Sequence, residues 1–401
     1  MATVPLPRVE IVDLRQVRSR QLAPLFDEQQ QAWREELHWD YKPSVAIIKK
    51  HIDARALPGY VALVEGGVAG YCFFVYEEAA AEAGRQKALI GDLFVREAFR
   101  PLAAGGPASA RLARNRSDPG LATQLLERAL ETLADSPGVI RMEAQVMPFG
   151  LEPLAPVFLA HTFRSYPRLF MYKDLKEPSA TPPGRCLGAR RERDDSEDIP
   201  PGRSPSTSLR TSPGAHVGKE EWEIEQWEDS YFEPLAALMV SAYAGHVDSQ
   251  INDQYSTREG ALKFLKNIVV FPGCGVFRPE ASYVALSEPS GGRATDTGPR
   301  VTIHGSRFTY LAGALLLSQV APRIAHITQV CVRREAQGTG LGRRLLARTL
   351  DSLHQKGYEG VSLSVTADNP PAVGLYRRFG FEVLKDFAAY VWQKPSALGI
   401  V

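Results

Sequence analysis

Apolar residues recur along this chain at two spacings. In GLGRRLLARTLDSLHQKG (340–357), Leu341, Leu345, Leu346 and Leu350 lie three and four apart, which predicts a helix with one apolar stripe. GLATQLLERALETLADSPG (120–138) repeats the stripe at Leu121, Leu125, Leu126 and Leu130. A short apolar run precedes each helix, LIGDLFV (89–95) or ITQVCV (327–332), and reads as a strand. After each helix comes a further strand, MEAQVM (142–147) or VSLSVTA (361–367). A short helix and a closing strand follow, RLFMYKDL (168–175) or FAAYVWQK (387–394). Upstream lie candidate hairpins, YVALVEGGVAGYCFFVYEE (60–78), and ASYVALSEP (281–289) with TYLAGALLLSQV (309–320). The halves therefore read as degenerate repeats, two separate α/β units of one kind.

Residues 176–219 break the pattern. They are rich in Pro, Gly, Ser and mixed charge, with too few apolar residues to offset the entropy of ordering. This predicts a flexible linker between domains at 1–175 and 220–401, each of ordinary domain size. Similar composition at 105–120 and 287–307 predicts a surface insertion in each half.

Composition narrows the functions. The chain has 401 residues, 44% hydrophobic and 23% charged, as in soluble globular proteins. A net charge of +1 argues against a nucleic-acid partner. Four scattered cysteines without a CxxC pair argue against a disulfide framework or a zinc site. No apolar run suits a signal peptide or a membrane span, so the expected location is the cytoplasm, with no membrane partner.

The segment between strand and helix in the second half carries the candidate chemistry. It reads Gln337-Gly338-Thr339-Gly340-Leu341-Gly342. A helix N-terminus offers amides without intrahelical partners and a partial positive charge, which together stabilise an anion. Glycines let the backbone take positive φ and come close to a ligand. Arg343 and Arg344 follow and add charge. A ligand-free Gly-rich helix start fits the glycines equally well. A P-loop is excluded by the missing Lys, and a dinucleotide loop by GxGxG in place of GxGxxG.

Together these residues resemble the GNAT superfamily of acetyl-CoA-dependent N-acetyltransferases. VCV-RREA-QGTGLG-RRLL follows its central motif, with Gln337, Gly340 and Gly342 in the motif positions. SVTADNPPAVGLYRRFGFEVL follows a second, matching at Asn369, Ala372, Leu375, Tyr376, Phe379, Gly380 and Phe381. The likeness is clear over 320–392 and fainter over 220–401. It implies an α/β fold of the α+β type: two GNAT-like domains, each a mixed, mostly antiparallel twisted sheet flanked by helices. It also implies acetyl-CoA as acyl donor, no metal, and a small-molecule or peptide amine as acceptor.

The resemblance places the donor in a splayed opening between the fourth and fifth strands. Its contacts would be Val330, Cys331 and Val332 on the strand, Gln337, Gly338, Thr339, Gly340, Leu341, Gly342 and Arg343 in the loop, and Asn369. Asn369 also precedes Pro370-Pro371, as an N-cap would. Tyr376 occupies the family's general-acid position, and a core tyrosine is the alternative. His326 falls at the position of the family's base and titrates near neutrality when unperturbed; a hydrogen-bonded structural histidine is the alternative. Cys331 reads as a small buried hydrophobe.

The first half keeps only a trace of the loop motif at Gly120 and Ala122, with Asp118 ahead of it and Leu89 at the base position. It reads as a degenerate, non-catalytic copy. The resemblance implies that the segment 235–265 covers the acceptor, with His246, Asp248, Asp253 and Tyr255 as candidates for a polar pocket; a solvated loop between two helices is the alternative. Two folds in one chain favour a monomer. The competing function is a non-catalytic acyl-CoA-binding or regulatory module.

Overall fold

The computed structural model describes residues 8–79, 84–100, 120–151, 153–176, 222–270, 274–287 and 310–395. Apart from Lys176, Gly120 and Ser287, the expected linker at 176–219 and the insertions at 105–120 and 287–307 lie outside the described residues, as do Asp118 and Cys186.

The N-terminal half contributes β1 (Val9–Asp13), β2 (Gly59–Val64), β3 (Gly67–Glu78), β4 (Gln86–Val95), β5 (Val139–Ala144) and β6 (Arg164–Asp174). The C-terminal half contributes β7 (Trp222–Gln226), β8 (Val276–Phe277), β9 (Tyr283–Ser287), β10 (Tyr310–Ala321), β11 (Ile324–Val332), β12 (Gly360–Thr366) and β13 (Glu382–Gln393). The helices are α1 (Ala23–Leu37), α2 (Lys42–Asp53), α3 (Leu121–Ala134) and α4 (Ala155–Ala160), then α5 (Phe232–Tyr243), α6 (Val247–Ile251), α7 (Arg258–Val270), α8 (Leu341–Gln355) and α9 (Pro370–Arg378).

The two leucine stripes do what their spacing predicts. Leu121, Leu125, Leu126 and Leu130 of α3 pack on one half of the sheet, and Leu341, Leu345 and Leu346 of α8 on the other. Complete burial of a leucine contributes about 1.5–3 kcal/mol. Both helices press against a glycine in the strand beneath. A Cβ at Gly70 would lie 3.2 Å from Leu125, and one at Gly313 would lie 3.2 Å from Leu345. On the opposite face, α1 and α2 cover the first half, and α5 and α7 the second.

The two halves are joined edge to edge. The strands form one sheet in the order β1-β2-β3-β4-β5-β13-β6-β12-β11-β10-β9-β7, with β8 on β10. Each closing strand pairs with the other half: β6 with β12 (Arg168 opposite Thr366) and β13 with β5 (Tyr390 opposite Ala144). The two closing strands also pair with each other, from Glu382 opposite Tyr172 to Val391 opposite Arg164. Apart from Pro167 of β6, which lacks an N–H, either closing strand offers the same backbone donors and acceptors to an antiparallel neighbour. A local hydrophobic pattern therefore does not say which one a half receives.

The halves also share buried charge. Lys87 of β4, with its side chain 1% exposed, sets its ammonium 2.5 Å from Asp253, 3.7 Å from Glu143 and 3.9 Å from Glu77. Arg141 binds Glu143 at 2.6 Å and donates to the carbonyls of Gln250 (2.6 Å) and Ile251 (3.2 Å). Burial raises the Glu143 pKa, against the pull of Lys87 and Arg141. This cluster fastens the segment around α6 to the first half. Lys87→Met leaves buried carboxylates without their cation and should lower the unfolding free energy by about 3–5 kcal/mol. Urea denaturation checks this; a loss below about 1 kcal/mol would show the cluster to be energetically idle.

Candidate functional site

The strands β11 and β12 run parallel and pair from Ile324 opposite Gly360 to Ile327 opposite Leu363, after which the register ends. Beyond that point β11 stays on β10, with an extra residue, Thr328, bulging between Ile327 and Gln329. Thr328 closes the bulge by donating to the Leu316 carbonyl at 3.2 Å. The outcome is an opening between Thr328–Val332 and the end of β12.

Alternation decides which strand residues face this opening. The Arg333 amide donates to Ala312 of β10 at 2.8 Å. Arg333 and Cys331 thus turn their backbone groups to β10, and Val330 and Val332 turn theirs away from it. Two side-chain bonds agree with this. The Val330 carbonyl accepts from the Tyr243 hydroxyl at 3.0 Å, and the Val332 carbonyl accepts from the Gln337 side chain at 3.1 Å. The N–H groups of Val330 and Val332 therefore point into the opening. Cys331 is placed differently from its neighbours. Its thiol is buried against α5, and burial pushes it up to about 12, which suits an unreactive core residue.

The glycine loop lies at the mouth of the opening. Gly338 and Gly340 have φ of 76° and 97°, and a Cβ on either would meet no atom within 4 Å. Gly340 is the residue from which α8 starts. The Thr339 hydroxyl donates to the Ala336 carbonyl at 2.5 Å, so Gln337 and Thr339 brace the loop from below. Leu341 anchors it in the core, and Arg343 is exposed. Arg344 instead leans over the Trp222 ring, 5.5 Å from its centroid. These residues suit a diphosphate: an open, concave backbone at a helix start, with a cation beside it.

Across the opening stands α9. Tyr376 is 7% exposed, edge-on to Phe381 at 5.8 Å, and its hydroxyl makes no hydrogen bond to the described residues. Burial, helped by the Asp248 carboxylate, raises its pKa, so the hydroxyl keeps its proton at neutral pH. Asn369 caps α9 by accepting from the Ala372 amide at 3.3 Å, and its Nδ2 lies 3.2 Å from His246 Nε2. The His246 Nδ1 in turn lies 3.1 Å from the Asp248 amide and 3.6 Å from its carboxylate. The Asp248 amide donates to Nδ1, so a neutral His246 carries its proton on Nε2.

Of the four acceptor-segment candidates, His246 and Asp248 meet at the opening. Tyr255 stacks on Tyr243 at 4.4 Å beside it, and Asp253 is turned away onto Lys87. Sequence reasoning missed Tyr243, Thr366, and Arg168 of β6. Arg168 lies 3.7 Å from Asp248, and Thr366 donates to Asp248. Arg168 is one of three basic residues in β6, with Arg164 and Lys173, and nothing in the sequence sets it apart from them.

His326 lies elsewhere. It belongs to the paired part of β11, opposite Ser362, whose hydroxyl is 2.8 Å from Nδ1. Trp39 (4.9 Å) and Phe170 (5.8 Å), both from the N-terminal half, enclose its ring. Burial lowers its pKa to about 3. The ring is held neutral among these neighbours, on the paired part of β11 before the strands part.

The N-terminal half repeats the bulge and the parting of strands, with Gly91 where the other half has Thr328. Aromatic rings crowd this region. A Cβ on Gly91 would lie 2.2 Å from the Phe73 ring, and Phe94, Phe149, Trp33 and Tyr41 pack together alongside. Asp92 stands where Gln329 does and is bound by Gln29 (2.6 Å), Tyr71 (2.8 Å) and Tyr41 (3.0 Å). Among the described residues, no group of three or more His, Cys, Asp or Glu is placed to hold a metal, and no helix is long and apolar enough to cross a membrane.

Residues 295–381 match the model of the Acetyltransferase (GNAT) family. The chain is 48% identical over 60 residues to a mycothiol acetyltransferase of Arthrobacter sp. (strain FB24), covering 15% of this chain and 19% of the relative. It is 33% identical over 114 residues to a mycothiol acetyltransferase of Thermobifida fusca (strain YX), covering 28% and 32%. The chain thus spans between a fifth and a third of these curated relatives. Among solved structures, a tandem GNAT protein from the clavulanic acid biosynthesis pathway aligns over 97% of this chain and all of its own, at TM-score 0.51 and 16% identity. A GCN5-related N-acetyltransferase from Sphaerobacter thermophilus aligns over 98% of both chains, at TM-score 0.52 and 15% identity. These two likenesses show the fold.

The burial of His326 has a measurable consequence. Its folded pKa of about 3 is below the unfolded 6.5, so the unfolded chain takes up the proton first. The stability it confers is complete above pH 6.5 and is lost as pH falls toward 3. His326→Gln should therefore flatten the acid side of the stability profile by about 1.4 kcal/mol per pH unit in that window. Urea midpoints across the window check this; equal slopes in both proteins would mean the ring is not held neutral.

Proposed function

We propose, from the premise that the C-terminal half of this chain carries a GNAT-family acetyltransferase domain, that this half transfers an acetyl group from acetyl-CoA to a primary amine by direct attack. One observation carries the reading. The β11–β12 pairing ends after Ile327, and Gly342 at the end of the glycine loop sits against both Val332 of β11 and Leu375 of α9, the helix that carries Tyr376 (a Cβ there would lie 3.8 Å from each).

In this reading the donor supplies an activated thioester, and the protein positions it and moves protons. The amides at Gly338–Gly342 hold the diphosphate, aided by the α8 dipole and Arg343. The Val330 or Val332 N–H orients and polarises the acyl carbonyl. The acceptor amine must lose a proton before it attacks. His246, steadied by Asp248, stands at the mouth of the opening to take that proton, directly or through water. Tyr376 returns a proton to the departing sulfur. The first half, its own opening crowded by aromatic rings, acts as a scaffold.

Two variants test this. Tyr376→Phe removes only a hydroxyl that no described residue binds, so the fold and the Kd for acetyl-CoA should hold. The value of kcat across a panel of amines should fall about a hundredfold or more. Gly340→Asp places a carboxylate where the diphosphate sits, at φ 97°. Titration calorimetry should show one acetyl-CoA site in the wild type and none in this variant. Tight binding without transfer to any amine would select the alternative, a non-catalytic acyl-CoA-binding module. Absence of binding would overturn both.

A further inference from the structure

We propose that Arg168, carried into the C-terminal site on the exchanged strand β6, binds an anionic group of the acceptor, so that the substrate is an amine bearing a carboxylate or a phosphate. The inference rests on the acetyltransferase reading above and adds the substrate class.

The argument starts from what Arg168 lacks. Its side chain is 15% exposed. Its NH1 donates to the Thr366 hydroxyl at a long 3.3 Å. Asp248 lies 3.7 Å from the same nitrogen, beyond hydrogen-bond reach, and receives the Thr366 hydroxyl instead. The Arg168 Nε is buried and makes no hydrogen bond. The Phe387 ring, 6.0 Å from the guanidinium carbon, gives weak support from behind. A guanidinium carries five donors in a rigid fork that fits two parallel acceptors on one anion. Largely removed from water, and with one weak bond to the described residues, this fork is matched in shape by a carboxylate or phosphate.

Its position places that anion beside the chemistry. Arg168 lies opposite Thr366, the last residue of β12, at the edge of the opening. Asp248 lies 3.7 Å from Arg168 by one carboxylate oxygen and 3.6 Å from the His246 ring by the other. The site therefore presents a carboxylate and a guanidinium side by side. An acceptor with an ammonium facing Asp248 and an anion facing Arg168 complements both. A mismatched acceptor, neutral where Arg168 expects charge, leaves the fork unsatisfied, and unsatisfied buried groups give strong discrimination.

The test is the release of CoA thiol by the full chain with matched acceptors. One series sets L-amino acids against their amides, and another sets O-phosphoethanolamine against ethanolamine. At least one series should favour the charged member by tenfold or more in kcat/KM, chiefly through KM, and which series does so identifies the anion. In Arg168→Gln that ratio should fall to near one, and in Arg168→Lys it should be intermediate. A ratio taken within one preparation does not depend on the fraction folded. Equal use of charged and neutral members, a preference that survives Arg168→Gln, or no transfer to either series by protein that binds acetyl-CoA would each overturn the assignment. Protein that does not bind acetyl-CoA fails at the earlier step and overturns the transferase reading itself.

Discussion

The antiparallel pair formed by β6 and β13 is the contact on which the rest of the molecule depends. Each strand also completes a sheet begun by the other half, so one set of backbone hydrogen bonds closes both sheets at once. Two half-sheets that kept their own closing strands would each present a free edge at the junction, open to pairing with other chains. The exchange removes those edges. It also fixes the distance between the halves, since strands in a sheet lie about 4.8 Å apart. Everything else that crosses the seam, including the Lys87 cluster and the packing of Trp39 on His326, is set by this spacing.

The site owes its shape to a loss of pairing. Parallel strands that part after four residues leave two amides and a wedge-shaped opening in an otherwise continuous sheet. The wedge is useful because of what borders it. A helix start at its mouth favours anions, a buried tyrosine keeps its proton, and a histidine faces a carboxylate. In the first half the same parting of strands is crowded by rings. One backbone design thus yields an open wedge or a packed core, depending on whether the side chains around it are small or aromatic.

Much of this was legible along the chain. The helix stripes, the hairpins and the strand before the glycine loop follow from spacing, because burial on one face imposes a period that sequence displays directly. Gly338 and Gly340 were legible for a similar reason, since backbone that takes positive φ restricts its residues. The exchange of closing strands was not legible, because β6 and β13 carry equivalent patterns. What depends on the exchange was hidden with it. His326 has an ordinary sequence context, and the rings that neutralise it come from residues 39 and 170. Arg168 and Lys87 belong by sequence to a half without catalytic motifs, and only the sheet order brings them to the other half.

The exchange also sets a schedule for the ribosome. β5 ends at Ala144, and the strand that must lie beside it ends at Gln393, about 250 residues later. At typical rates of synthesis, β5 waits roughly 12–50 s for its partner. Throughout that interval the strand that finally pairs with this side of β5 does not yet exist. The closing strand β6 is synthesised far earlier and could occupy the vacant place as a temporary neighbour. If it does, maturation includes a handover, in which β13 displaces β6 from β5 and β6 moves on to β12. The slowest event in the birth of this protein would then be a rearrangement between two compact states rather than the collapse of an open chain.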